Sequence, residues 1–330
     1  MASTLTILIT THNRADLLAR TLRYLNEAHR PQDCEVEIFV VANACTDGTH
    51  DLITGYPNHP QGPFGSGQAL PLRWVTEPVP GKSYALNRAI PLVTSELVAF
   101  VDDDHRVDTG YLEAICRASE THRDMDIFCG RILPDWDGRE PRWVHDTGPY
   151  RIYPLPVPHY QQGDRAKEIT IEGPAPGGGN LCIRRPVFDR VGSFSVELGP
   201  HGHDLGGGED SDFVYRCLAE GMRIEYVPDI VQFHYVDLER LRLSYLLRKG
   251  FQRSRSGIRT KLSDRRAVPL YMWRKLVTYM LFAVASWSWA RTRFYAVRTA
   301  AALGEIRGFW DNAAARTTAG PINASDARKH

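Results

Sequence analysis

The chain has 330 residues, 43% hydrophobic, 24% charged and 10% aromatic, an ordinary globular mixture that excludes a disordered or fibrous protein. Its six cysteines (Cys34, Cys45, Cys116, Cys129, Cys182, Cys217) form no CxxC pair and no Cys/His cluster, which excludes a zinc ribbon or a disulfide framework and points to a reducing compartment. The net charge of +1 hides an asymmetry: residues 237–310 carry 16 basic and 4 acidic side chains, and residues 1–236 stand at −12. A basic end on an acidic body is a partner signal, with anionic lipid and nucleic acid as the two candidates.

The first apolar stretch, residues 5–9, is short, lacks a basic flank and runs into Thr10-Thr11-His12-Asn13-Arg14. It predicts a buried first strand rather than a signal peptide, and a cytoplasmic chain. Further strands are expected at 36–41, 72–76 and 97–101, rich in Val, Ile, Leu and Phe as doubly covered strands are. Helices at 15–26, 49–54 and 83–92 alternate with them, the pattern of a mainly parallel α/β sheet wrapped by helices. Ligands in such sheets collect at the carboxyl ends of strands. Three polar clusters fall there, at 10–14, 43–49 and 102–105.

Residues 56–71, rich in Pro, Gly and Gln, read as a surface loop. A helix at 110–121 and a proline- and tryptophan-rich stretch at 134–158 follow. Then come the glycine run Gly177-Gly178-Gly179-Asn180, a strand at 181–183, and Gly206-Gly207-Gly208-Glu209-Asp210 opening a helix at 211–219 that Gly221 caps. A strand at 223–227 leads to Phe233-His234-Tyr235. Residues 237–266 are basic and expected to be helical, and the uncharged run 276–290 ends near Trp287 and Trp289. At roughly 15 residues this run is shorter than the ~20 of a spanning helix. With Arg274, Lys275, Arg291 and Arg293 around it, it reads as an interfacial helix or as part of a helix pair packed on the body. From about residue 311 the end is small, polar and expected to fray.

Three features carry chemistry. Asp102-Asp103-Asp104 ends an apolar strand; like charges this close persist where a partner compensates them, and hard oxygen ligands suit Mg²⁺ or Mn²⁺. A solvated acidic turn or a helix cap explains the triplet equally well. Glu209 and Asp210 at a helix start should stay ionised, as a general base requires, or Asp210 simply caps the helix. His234 can complete a carboxylate metal site or sit in the core as a structural histidine.

Taken in order, these segments resemble the family-2 glycosyltransferases of GT-A fold. The carriers are Ile7-Leu8-Ile9-Thr10-Thr11-His12-Asn13-Arg14, Asn43-Ala44-Cys45-Thr46-Asp47-Gly48-Thr49, Gly81-Lys82-Ser83-Tyr84-Ala85-Leu86-Asn87, the Asp102-Asp103-Asp104 element and Gly207-Gly208-Glu209-Asp210. The resemblance covers about residues 4–240. It implies a GT-A catalytic domain over 1–236, with a nucleotide-binding half at 1–105 and an acceptor-binding half at 106–236, and leaves 237–330 as a basic helical region. It further implies that Thr11, His12, Arg14, Asn43, Asp47, Lys82, Asn87, Asp102 and Asp103 bind the nucleotide-sugar, with Lys82 near the diphosphate. Asp104, His234 and Asp102 would hold Mg²⁺ or Mn²⁺, and Gly178, Gly179 and Asn180 would border the acceptor. Asp210, or else Glu209, would be the base of an inverting single displacement onto a saccharide or lipid-linked hydroxyl. One position departs: many members have Asp where this chain has Ala42, which leaves the nucleobase to Asn43 or Asp47, or changes the base.

A Rossmann dehydrogenase is excluded, because the turn after the first strand holds no glycine. A sugar nucleotidyltransferase shares the metal logic and stays an alternative; a non-catalytic sugar-nucleotide binder would be favoured by lost carboxylates, and both acidic motifs are intact. For the basic end, membrane is preferred to nucleic acid, since its aromatics gather in the uncharged run instead of interleaving with Lys and Arg. The expected location is therefore peripheral on the cytoplasmic face, beside lipid-linked or polysaccharide acceptors.

Overall fold

A computed structural model describes residues 3–56, 69–197, 208–261 and 268–318. Most of the loop expected at 56–71, Gly206 and Gly207 of the second glycine run, and the terminal residues 319–330 lie outside the described residues. The chain divides into two compact units: residues 1–135 with 158–235, and residues 136–157 with 236–330.

The first unit is built on one mixed sheet. Its leading half runs β1 (Ser3–Thr11), α1 (Ala15–Glu27), β2 (Cys34–Asn43), α2 (Thr49–Gly55), β3 (Leu72–Glu77), α3 (Lys82–Ala89) and β4 (Leu97–Phe100). It continues through β5 (His105–Val107), α4 (Tyr111–Thr121), β6 (Ile127–Asp135), β7 (Lys167–Ile169), β8 (Leu181–Arg184), α5 (Pro186–Val191), α6 (Glu209–Ala219) and β9 (Ile224–Tyr235). The strand order is β3-β2-β1-β4-β8-β6-β9-β5, with β7 also on β9. The β1–β4 half is all parallel, whereas β8 joins both β4 and β6 antiparallel.

Strand periodicity of two sends alternate residues to opposite cores. Leu5, Ile7 and Ile9 of β1 pack with Leu18, Leu22 and Leu25 of α1 and with Leu112 and Ile115 of α4. Leu8, Phe39 and Val41 pack on the other face with Leu86 of α3 and Phe213 of α6. Both faces being covered explains why these strands read as continuous apolar runs.

Strand β6 is absent from the expected elements, and β9 is far longer than the 223–227 segment read from sequence. The two pair in parallel, but Cys129 pairs with Tyr226 and Arg131 with Val231, so Val227 to Ile230 bulge out opposite Gly130 alone. A Cβ on Gly130 would lie 1.8 Å from the Ile230 carbonyl oxygen, so only glycine fits. Pro228 is tolerated because the bulge needs no ladder donor there. Asn180 closes the gap: its Nδ2 donates to the carbonyls of Arg131 at 2.8 Å and Ile230 at 3.1 Å.

The second unit holds α7 (Leu243–Lys261), α8 (Leu270–Val284) and α9 (Trp289–Thr318). Most of the proline- and tryptophan-rich segment, Trp136–Val157, clusters with these helices. Val144 and Val157 form a core with Val236 and Leu241, and Arg293 of α9 donates to Asp146 at 2.9 Å. The end expected to fray from residue 311 stays helical to Thr318. Helix α8 packs on α9 through Met272 and Leu276 against Ala302 and Ile306. Its other side is open: Leu270 is 85% exposed and Val284 87%, and Trp287 just beyond is 99% exposed. Among the described residues no helix is long and apolar enough to cross a membrane.

Replacing Asn180 with Ala strands the Arg131 and Ile230 carbonyls and costs about 1–3 kcal/mol for each buried group left unpaired. A lower urea midpoint at an unchanged m-value is the expected result, and an unshifted midpoint would show that the bulge does not need the amide.

Candidate functional site

The carboxyl ends of β1, β2 and β4 open onto a cleft of about 280 Å³, lined by Thr10, Thr11, His12, Arg14, Asn43, Pro80, Gly81, Lys82, Asp102 and Asp103. Strand carboxyl ends are where an α/β sheet binds its ligands.

The acid-rich turn after β4 is anchored from α1. The Thr21 hydroxyl reaches the main-chain oxygens of Asp103 at 2.9 Å and His105 at 2.8 Å. Asp103 is buried and accepts from Thr11 Oγ1 at 2.8 Å and Arg14 at 2.9 Å. Burial and then neighbouring Asp104 push its carboxyl up to about 6, with Arg14 opposing them. Arg14 also reaches Asp104 at 3.1 Å, so one guanidinium spans two of the three acids.

Asp102 faces the other way, onto Lys82. The Lys82 ammonium, at the first residue of α3, lies 2.9 Å from Asp102 and 3.6 Å from Asp210. Burial disfavours both charges, but their attraction prevails: Lys82 holds Asp102 well below the usual carboxylate range, and Asp102 with Asp210 raises Lys82. The strand-end acids and the acidic pair of α6 therefore meet on one cleft.

Helix α6 begins with Gly208 at its N-cap, in left-handed backbone (φ +111°), and no side chain caps it. Asp210 is not a cap. Its Oδ1 is buried without a hydrogen-bond partner. Glu209 is 4% exposed, and burial, then Asp210, pushes its carboxyl up, against the lowering expected from the helix N-terminus alone. The glycine run forms the floor beneath these groups. A Cβ on Gly178 would sit 2.0 Å from the Asp210 carboxyl carbon, and one on Gly179 would sit 2.5 Å from Asp102 Oδ2.

Several candidates turn out to hold the cleft's frame. Asn43 takes the Gly81 amide at 2.8 Å and donates to the carbonyls of Glu77 and Val79 at 3.1 and 2.6 Å, fixing the loop that delivers Lys82. Asp47 accepts from the amides of Ala15 and Thr49, both at 3.1 Å, and so ties α1 to α2. Asn87 lies outside the cleft lining and clamps the Phe194 main chain at 2.8 and 2.9 Å. Phe194 stacks on Phe213 of α6 at 4.3 Å, which seats the helix carrying Asp210. Asn180 is 1% exposed, with its amide nitrogen spent on the β6–β9 bulge. His12 remains exposed, its Nδ1 at 2.6 Å from the Asn43 carbonyl oxygen.

The antiparallel pair β5–β9 sets His105 opposite His234. The ligand atoms of Asp104, His105 and His234 lie within 4.8 Å of one another, a set that could hold a metal ion. Burial, opposed by Asp104, keeps His234 below its ordinary value, which favours a neutral, ligating imidazole. His105 Nε2 is buried and has no hydrogen-bond partner, so the pocket fits a cation. Asp102 borders this trio: its Oδ1 is held by Lys82 at 2.9 Å, and its Oδ2 lies 3.9 Å from His105 Nε2. Sequence reasoning missed His105, although it directly follows the acids, and it missed Gln232, which shares the face of β9 with His234.

Asp103 ionises in the unfolded chain near pH 4 but in the folded one near 6. Between those values the folded state holds the proton more tightly, so this group's contribution to stability is full below pH 4 and is lost as pH rises through 6. In metal-free protein, the melting temperature of Asp103→Asn relative to the parent should therefore climb between pH 4 and 6; a flat difference would refute the buried charge.

The chain matches the family described as Glycosyl transferase family 2 over residues 6–192. It is 24% identical over 245 residues to the succinoglycan biosynthesis protein ExoM of Rhizobium meliloti, covering 74% of this chain and 71% of that one. Its fold is similar to a mannosyltransferase, PcManGT, from Pyrobaculum calidifontis in complex with GDP-Man and Mn²⁺ (TM-score 0.52, 20% identity, covering 93% and 86% of the two chains). It is also similar to S. aureus TarS 1-349 in complex with UDP-GlcNAc (TM-score 0.53, 18% identity, 93% and 91%). With the mixed sheet of GT-A enzymes and the family match over more than half its length, this chain belongs to glycosyl transferase family 2 and is a glycosyltransferase.

Proposed function

We propose that the protein transfers a sugar, with inversion, from a nucleoside-diphosphate-sugar to a hydroxyl of a saccharide or lipid-linked acceptor in polysaccharide or glycolipid biosynthesis. The observation that carries this reading is Lys82 lying between Asp102 and Asp210, which sets a donor-side acid and an acceptor-side carboxylate about one cation.

Thr11, His12 and Arg14 line the nucleotide side, and Lys82 offers its charge to the diphosphate. Asp104 and His234 would hold a divalent cation, Mn²⁺ or Mg²⁺, which when bound neutralises charge developing on the leaving diphosphate. Asp210, whose Oδ1 has no hydrogen-bond partner, is the base for the acceptor. It takes the hydroxyl proton as the oxygen bonds to the anomeric carbon from the face opposite the leaving group. The bond to the diphosphate breaks with its electron pair, so the products are a nucleoside diphosphate and an inverted glycoside. An aspartate is a weak base for an alcohol, so proton transfer accompanies bond formation instead of preceding it. Gly178 and Gly179 leave the acceptor side open where side chains would collide with Asp210 and Asp102.

The C-terminal unit supports docking on an anionic membrane. Trp273, Val277, Met280, Leu281 and Val284 recur at helical spacing on the open side of α8, in a region that is strongly basic.

Asp210→Asn should lower kcat about 10²–10⁴-fold with little change in donor KM, and the product's anomeric configuration by NMR should be opposite to the donor's. Full turnover by that variant, or retention, would overturn the assignment. A Leu281→Glu/Val284→Glu double variant should release the protein from phosphatidylserine-containing vesicles in a sedimentation assay; undiminished binding would remove α8 from the docking face.

A further inference from the structure

Main-chain carbonyls can only accept hydrogen bonds, and two of them determine a proton's position two side chains away. Asn180 turns one end toward the carbonyls of Arg131 and Ile230, at 2.8 and 3.1 Å, so that end is the amide nitrogen and the other is Oδ1. Oδ1 then requires a donor, which Gln232 Nε2 supplies at 3.0 Å. The same nitrogen lies 3.0 Å from the Phe100 carbonyl oxygen and 2.7 Å from the Tyr111 hydroxyl. Turning the Gln232 amide over would set its oxygen against two acceptors. Gln232 Oε1 is therefore the atom that meets His105 Nδ1, and Nδ1 carries the proton. His234 reaches the same tautomer directly, with Nδ1 2.5 Å from the Tyr235 carbonyl oxygen.

In their neutral forms both rings thus turn an Nε2 lone pair toward the acids. His234 Nε2 is 3.6 Å from Asp104 Oδ2, and His105 Nε2 is 3.9 Å from Asp104 Oδ1 and from Asp102 Oδ2. A lone pair facing carboxylate oxygens gains nothing until a cation lies between them, and His105 Nε2 is buried with no other partner.

We propose that His105 is a third ligand of the cation held by Asp104 and His234, that Gln232 is the positioning residue that fixes it as one, and that the resulting two-imidazole, one-carboxylate set selects Mn²⁺ over Mg²⁺. This rests on the cation placement proposed above and adds the ligand count and the preference. Mg²⁺ favours carboxylate, phosphate and water oxygens, whereas imidazole nitrogen binds first-row transition ions more readily. An outer partner that fixes a histidine's tautomer is worth about 10–100-fold in metal affinity.

The test is pulsed electron paramagnetic resonance of the full chain loaded with Mn²⁺ alone, reading nitrogen-14 couplings to the ion. Two coupled imidazole nitrogens are expected, falling to one in His105→Gln, with Mg²⁺ displacing Mn²⁺ only in large excess. Gln232→Met should weaken Mn²⁺ binding about 10–100-fold, with the metal-free circular dichroism spectrum unchanged. A single coupled nitrogen in the parent, or equal competition by Mg²⁺, overturns this ligand set while leaving the cation at Asp104 and His234. Absence of any Mn²⁺ binding, with or without added UDP or GDP, overturns the placement itself. Should either variant fail to fold, the parent's nitrogen count and the Mg²⁺ competition decide.

Discussion

An ammonium between two carboxylates is the interaction on which the cleft depends. Lys82 opens helix α3, where the helix dipole disfavours a cation, and it is held there by Asp102 at 2.9 Å and Asp210 at 3.6 Å. Without it, the end of β4 and the start of α6 would present like charges to each other in a partly dry space, with Glu209 adding a third. The same cation joins three elements of the chain, so the distance between the end of β4 and the start of α6 is set by electrostatics as much as by packing.

Behind this contact lies a layer of amides whose hydrogen bonds end on the backbone. Asn43 fixes the loop before Lys82, Asn87 fixes Phe194 and through it α6, and Asn180 with Gln232 fixes the turn bearing the acids. Each uses both ends of its amide, which leaves one orientation available and so little freedom for the side chains it supports.

How much of this was legible depended on whether the signal was apolar continuity or polar purpose. The inner parallel strands β1, β2 and β4 stood out because both faces are buried and they are rich in Val, Ile, Leu and Phe. Strand β6 hid behind Gly130 and Arg131, and β9 behind Pro228, since a bulge interrupts the very pattern that marks a strand. The acidic triplet and the Glu209-Asp210 pair were visible as concentrated charge, which in sequence a solvated turn or a helix cap explains as well as a ligand does. The resemblance gave Asn43, Asp47, Asn87 and Asn180 to the ligand; that each also holds main-chain groups shows only in the fold, because a polar side chain looks the same in sequence whether it serves a ligand or a carbonyl. His105 and Gln232 gave no separate signal; their meaning comes from a cross-strand register that only the fold supplies.

The segment Trp136–Val157 is inserted between two strands of the catalytic sheet yet shares its core with the C-terminal helices, through Val144, Val157, Val236 and Leu241. The two units are thus interlocked in chain order, and the helical part is no detachable appendage. Trimming the chain after the last strand would leave an apolar flap behind with nothing to cover it, inviting aggregation, so anyone shortening this enzyme has to move both pieces together.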